Sequence, residues 1–362
     1  MKKTLLAAAL LAGFAGVAHA QSSVTLYGLV DAGFVNEKIE GQKSRNAIDS
    51  GLAGQSRWGI RGSEDLGNGL KAIFTLESGY TVDDGQSTQG RLFGRYAFVG
   101  LESATAGRLT LGRTTNLGFL WGAGIVNPFG LSYGRAAITS IFAYGQGDFG
   151  AGSRVNNSAY YYSPSFSGFQ GAVGYSFASG TLNGGAEQEV AGNSNNNRLI
   201  DAAVKYENGP LKAIVNYSYS NLSDAGKALN AGAKPKQLLA GLTWDFGVVA
   251  VYGGYSNLRN PLNNVFSYGA GITNNYANLY DKDNQYTLGL SAPFGAGKFM
   301  ASYTKTSTSK VDGYSVGYVY DLSKRTNVYA FFNDFDARQF VTKTNYTDLS
   351  RRQLAFGLQH KF

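Results

Sequence analysis

Strict alternation of apolar and polar residues recurs along almost the whole chain, and this period limits the fold more than any other feature. Val24, Leu26, Val30 and Phe34 share one face of a first segment. Leu70, Ala72, Phe74 and Leu76 alternate with Lys71, Thr75 and Glu77. The same pattern returns around Phe169–Phe177, Leu211–Tyr217, Leu238–Trp244, Tyr286–Leu290, Phe299–Tyr303 and Tyr314–Tyr320. It closes the chain at Leu354, Phe356, Leu358 and Phe362. Successive side chains of a strand point to opposite faces, so each segment is a strand with one apolar face and one polar face. With weaker segments near 56–66, 91–103, 106–113, 154–164, 198–208, 247–258 and 325–334, roughly sixteen strands are expected.

The polar face decides between a sandwich and a barrel. A water-facing sandwich surface is rich in charge, yet only 15% of this chain is charged. Its second face is Gly, Ser, Thr, Asn and Gln, and Gly alone accounts for 49 of 362 residues. Lipid outside and water inside a closed barrel fit that pattern: every backbone group is paired and no edge remains. Past residue 20 no apolar run approaches the ~18 residues of a membrane helix. Connections alternate in length. Tight turns such as Asp65–Gly69, Ser165–Gly168 and Asp245–Gly247 are separated by longer polar stretches near 36–54, 82–90, 113–153, 179–197, 220–235, 257–283, 305–311 and 334–350. Short turns at one end and long loops at the other suit an outer-membrane barrel, with Tyr and Phe forming girdles at the interfaces.

The two termini read differently. Residues 1–20 have two lysines, an apolar core and Ala18-His19-Ala20, the plan of a secretory signal peptide cleaved after Ala20. Residues 21–362 are then one exported barrel domain. The formal charge of +8 falls by Lys2 and Lys3 to +6, with no concentrated basic helix, so a nucleic-acid partner is not expected. There is no Cys, and His360 is the only histidine after the leader, which removes disulfides, thiolate metal sites and most His-based catalysis. No motif implies a cofactor or a metal. The strand ending at Phe362 must pair with the first, around 23–35, to close a barrel.

Several stretches resemble the trimeric general porins of Neisseria, Burkholderia and related bacteria. They are SSVTLYGLVDAG (22–33), SRWGIRGSEDLGNGLKAIFTLESG (56–79), GRYAFVGL (94–101), LTLGR (109–113), NNSAYYYSPSFSGF (156–169), YDLSKRTNVYAFF (320–332) and GLQHKF (357–362). The resemblance implies a 16-stranded antiparallel transmembrane β-barrel in the cell outer membrane. It implies a homotrimer that passes small hydrophilic solutes and ions, with loop three folded inward as a constriction. It also implies that the carboxy-terminal Phe362 is the signal read by the barrel assembly machinery. Contacts with membrane lipid and lipopolysaccharide are expected, without an assigned site.

The family pattern sets wall arginines against acids of loop three. Arg57 and Arg95 match the wall positions, Arg61 and Arg91 share their faces by period two, and Arg154 is a third position. Lys71 ranks below them as a lumen residue. An arginine in lipid near the midplane costs about 2–4 kcal/mol, which favours the lumen; snorkelling to the headgroups is the other reading for Arg57 or Arg61. Residues 113–153 are the natural loop three. Asp148 is the only acid there, beside Arg113 and Arg135, which is fewer acids than family members usually carry. The expectation is a net anion preference with Asp148 as the acidic counterpart, tempered if Asp31, Glu64 or Glu77 contributes from the wall. Three alternatives remain at this point: an enzyme, for which no motif is present; a substrate-specific channel, favoured by Tyr133, Phe142 and Tyr144; and an adhesin-type barrel.

Overall fold

The computed structural model describes residues 23–130, 154–179, 196–229, 234–260, 281–340 and 344–362. The signal segment, Asp148 and the aromatic residues 133, 142 and 144 lie outside them. In chain order the strands are β1 (Ser23–Ile39), β2 (Arg45–Ser50), β3 (Arg57–Gly67), β4 (Leu70–Gly79), β5 (Tyr96–Ser103) and β6 (Gly107–Thr115). Helix α1 (Leu117–Val126) follows, then β7 (Arg154–Tyr162), β8 (Phe169–Ser176), β9 (Arg198–Asn208) and β10 (Leu211–Asn221). After the short helix α2 (Asp224–Leu229) come β11 (Lys236–Asp245), β12 (Ala250–Arg259), β13 (Lys282–Phe294), β14 (Gly297–Thr306), β15 (Asp312–Asp321), β16 (Thr326–Phe340) and β17 (Tyr346–Lys361).

Apart from β2 and β3, which both pair with β1, each strand pairs antiparallel with its chain neighbour, and β1 pairs with β17, so the sheet closes. β2 and β3 follow one another along the same edge of β1, which makes seventeen segments a sixteen-stranded barrel. The seam is completed by Gly28 and Phe362, whose backbones exchange two hydrogen bonds of 3.1 Å. The Phe362 ring lies on Gly28, where a Cβ would stand 2.2 Å from it, so the seam needs glycine there.

The side-chain period is that of the sequence. On β17, Leu354, Phe356 and Leu358 are about half exposed to the exterior, at 49%, 55% and 48%, while Ala355 and Gln353 are buried inside. Two aromatic belts ring the outside. Phe169 with Tyr206 and Phe294 with Tyr318 lie near the short turns; Tyr255 with Tyr286 and Tyr314 with Phe332 lie toward the long loops. Amphipathic rings at both interfaces are what a lipid-embedded barrel presents.

The strands stand taller than the alternation suggests. The stretch 36–54 is not one long loop: β1 continues to Ile39, turns, and returns as β2 before leaving the sheet at 51–56. Likewise 334–350 is mostly ladder, since β16 reaches Phe340 and β17 starts at Tyr346. Above the lipid both faces are wet, so the hydrophobic period fades while the hydrogen bonds continue. Cross-strand ion pairs take its place there: Arg338 with Asp348 at 2.8 Å and Arg352 with Asp334 at 2.9 Å.

Loop three enters the barrel as expected. Asn116 caps α1 by accepting a 2.8 Å bond from the Phe119 amide. The buried face of the helix, including Leu117, Gly118, Gly122, Ile125 and Val126, lies against the inner wall of β9–β13. Asp201 on β9 accepts the Leu117 amide at 2.6 Å, a carboxylate at a helix N-terminus. Thr243 donates to the Ile125 carbonyl at 2.5 Å, and Asn127 donates to Thr287 at 3.3 Å. Wall glycines make room for the chain: a Cβ on Gly241 would meet Val126 at 2.3 Å, and one on Gly289 would meet Pro128 at 2.5 Å. Inward apolar residues Ile214 and Leu239 pack with Ile125 and Val126, and Leu199 and Tyr160 with Leu117.

Candidate pore constriction

The wall opposite this docking site is built from β3 to β7. Arg57 opens β3 at an inward position, paired with Leu29, and Arg61 follows on the same face. Glu77 sits near the end of β4, paired with Gly59 and Tyr96. Glu77 is almost buried, with two hydrogen-bond donors and a longer ion pair. Arg95 Nε lies 2.6 Å from one oxygen; Tyr27 Oη donates at 2.9 Å and Arg57 Nε lies 3.8 Å from the other. Arg95 is nearly buried, whereas the Arg57 side chain is 30% exposed to the lumen.

Gln55, in the 51–56 excursion, joins the two: its side-chain oxygen accepts from Arg95, and its carbonyl accepts from Arg57 Nη1 at 3.0 Å. Its amide nitrogen donates to Thr88 at 3.1 Å, tying in the loop between β4 and β5. Toward the tip of that loop, hydrogen bonds from the Thr81 hydroxyl and the Gln86 amide hold Asp84 below the usual carboxylate range, so the loop keeps its negative charge at neutral pH.

A second group of arginines adjoins the first. The β6–β7 ladder shifts register between Gly112 and Thr114, and Asn157 takes a left-handed φ of 44° there. The bulge turns Arg113 inward, where its Nε donates to the Gly94 carbonyl at 2.9 Å. Arg113 and Arg91 both donate to Asn156 Oδ1, Arg91 at 3.1 Å. Arg154, buried at the start of β7, donates to Thr115 and lies 5.0 Å from the Tyr96 ring centroid and 5.6 Å from that of Phe119 on α1.

Of the sequence candidates, Arg57, Arg91, Arg95 and Arg154 come together. Arg61 stands nearer the short turns, over the Tyr27 ring at 5.2 Å, and Lys71 is farther down, opposite Asp65 and Glu102. Asp148 is outside the described residues. Arg113 belongs to the cluster but was read only as a basic residue of loop three; its signal was the Gly112-Arg113 pair ending a strand. Gln55, Tyr96 and Asn156 carried no signal of their own. Of the wall acids, Glu77 is in the cluster, Asp31 is buried on β1, and Glu64 is exposed beyond it near the turn after β3. His360 lies on the outward face, 2.9 Å from Thr326 Oγ1.

A closed barrel with an apolar exterior, a polar lumen and an inward loop facing a charged wall is an outer-membrane channel. The chain belongs to the Gram-negative porin family, whose model matches residues 7–339. It is 37% identical to an outer membrane porin protein of Bordetella pertussis, across 100% of both chains. It is 35% identical to outer membrane porin protein 32 of Delftia acidovorans, covering 93% of this chain and 91% of that one. Among solved structures it superposes on an anion-selective porin from Comamonas acidovorans with a TM-score of 0.72 and 27% identity, covering 94% of this chain and 100% of the other. The Salmonella typhi OmpF fold matches with a TM-score of 0.68 at 16% identity, covering 96% of this chain and 99% of that one. The protein is an outer-membrane porin.

Proposed function

We propose that this porin passes small hydrophilic solutes as a homotrimer, prefers anions, and selects them at the arginine wall facing α1. One observation carries the reading. Arg57, Arg91, Arg95, Arg113 and Arg154 line one wall, and among the described residues the acid that pairs with them is Glu77, through Arg57 and Arg95. A pore selects by radius and by the charge at its narrowest ring. Arg57 meets the permeating ion most directly, and the buried arginines behind it add to the field. Arg61 extends the ladder toward the periplasm. Asp148 is the acidic counterpart on loop three in this reading. The anion-selective neighbour from Comamonas supports the sign.

Solute flux into proteoliposomes tests it. Rates should fall smoothly with solute size, and anionic solutes should enter faster than cationic ones of equal size. Equal rates would remove the anion preference, and flux that saturates with one solute would point to a substrate-specific channel. Glu77→Gln removes the acid paired with Arg57 and Arg95 while keeping its shape. It should shift the reversal potential further toward chloride. Because Glu77 and Arg95 are both nearly buried, thermal unfolding should also show a loss of about 3–5 kcal/mol.

A further inference from the structure

Asp31 lies on β1, away from the arginines, and is fully buried at the barrel seam. Its carboxylate only accepts. Tyr329 Oη on β16 donates at 2.8 Å and Gln359 Nε2 on β17 at 3.0 Å. The third donor is the Ala53 amide at 3.2 Å, from the excursion 51–56 that interrupts the second barrel strand. The backbone of Asp31 holds both ends of the same excursion. Its carbonyl accepts the Gly51 amide at 2.8 Å and the Ser56 hydroxyl at 3.1 Å, and its amide donates to Ser56 Oγ at 3.0 Å. Gly51, with φ of 71°, makes the turn out of the ladder, and Gly54 passes against Gln359. Between these anchors Leu52 and Ala53 are buried inside the barrel, Leu52 against Gly33 of β1, in one apolar cluster with Phe129, just past α1. Gln55, next in line, holds Arg57 and Arg95.

We infer that Asp31 is a positioning residue for ion selection, and that residues 51–56, latched to it, form a second inward-folded segment completing the constriction opposite α1. The inference rests on the arginine-wall reading of selectivity. The chain of contacts runs from the carboxylate to Ala53, through the backbone to Gln55, and from Gln55 to both guanidinium groups. It also ties loop three to the wall through Phe129. A carboxylate suits this place because Tyr329, Gln359 and the backbone amide of Ala53 all donate to it; an amide has one acceptor and two unwanted hydrogens. Asp31→Asn therefore releases the excursion without changing any residue at the pore surface.

Planar-bilayer recording of the full-length mature porin tests this, using wild type, Asp31→Asn, Gln55→Ala and the double variant. Asp31→Asn should raise conductance roughly 1.5-fold as the segment withdraws, and should move the reversal potential toward zero, opposite to the chloride-ward shift that loss of a buried negative charge gives by itself. The double variant should shift no further than the larger single one, because both act through one path. An Asp31→Asn channel with wild-type conductance and reversal potential, even if it melts earlier, would overturn the inference and leave Asp31 a seam residue. Additive shifts would also overturn it. Should Asp31→Asn fail to fold, Ser56→Ala removes two anchors of the same segment and must give the same two shifts. If an Arg57→Ser/Arg95→Ser channel keeps its reversal potential, the arginine-wall reading fails instead; if that variant responds and Asp31→Asn does not, only the latch fails.

Discussion

Replacing Arg57 and Arg95 together with Ser should lower the chloride-to-potassium permeability ratio by about tenfold. The two substitutions remove two of the five guanidinium groups on this wall and leave Glu77 without either ion-pair partner. A unit charge about 6 Å from the ion path changes an ion's energy in water by roughly 0.7 kcal/mol, a factor of about three, with opposite signs for anion and cation. Screening trims the unattenuated product of two such changes, and it predicts a further dependence: selectivity should be stronger in 0.1 M salt, where the Debye length is about 10 Å, than in 1 M, where it is about 3 Å. Reversal potentials in a KCl gradient at both salt levels check this. A ratio unchanged from wild type would remove the pair from ion selection.

Asp201→Ala should destabilise the docked loop and the wall that holds it. Asp201 is fully buried and accepts from the Leu117 amide at 2.6 Å, Asn216 at 2.7 Å, Ser218 at 2.8 Å and Tyr160 at 3.2 Å. Removing the carboxylate strands several buried donors and takes a negative charge from the N-terminus of α1. Each unsatisfied donor costs about 1–3 kcal/mol, so a total loss of about 3–5 kcal/mol is expected after relaxation. Asn216 and Ser218 on β10 and Tyr160 on β7 also bond this side chain, but the backbone ladder of the strands does not, so the barrel itself should persist. The expected signature is a lower melting temperature with retained sheet content, and single-channel currents that flicker as loop three leaves the wall. Steady currents with an unchanged melting temperature would contradict the anchoring role.

How far the chain could be read from its residues depended on which side of a strand carried the information. The lipid-facing series, such as Leu354, Phe356 and Leu358, gave the strands, because lipid demands apolar residues at every second position. That constraint weakens above the membrane, which is why β2 and the upper parts of β16 and β17 looked like loop. The docking site of loop three left a mark that alternation alone obscures. Leu199-Ile200, Ile214-Val215 and Leu238-Leu239 are apolar on both faces; Ile200, Val215 and Leu238 meet lipid, and Leu199, Ile214 and Leu239 lie beside α1 or its flanks. In the arginine cluster, Arg57 and Arg95 were legible from the family resemblance, and an inward arginine is the low-cost solution in a membrane. Gln55 and Asn156 were not, since a neutral amide in a loop or strand is ordinary until its partners are known. Arg113 was hidden by the bulge, which reverses the face that period two assigns to it. The excursion at 51–56 had only Gly51 and Gly54 to announce it, in a chain where glycine is common.

Single-channel recording of the refolded mature protein across a KCl gradient tests the central claim most directly. Conductance steps grouped in threes, with a reversal potential on the chloride side, are the predicted result. Potassium-favouring steps would contradict selection by the arginine wall, and a folded barrel without conductance would contradict an open pore.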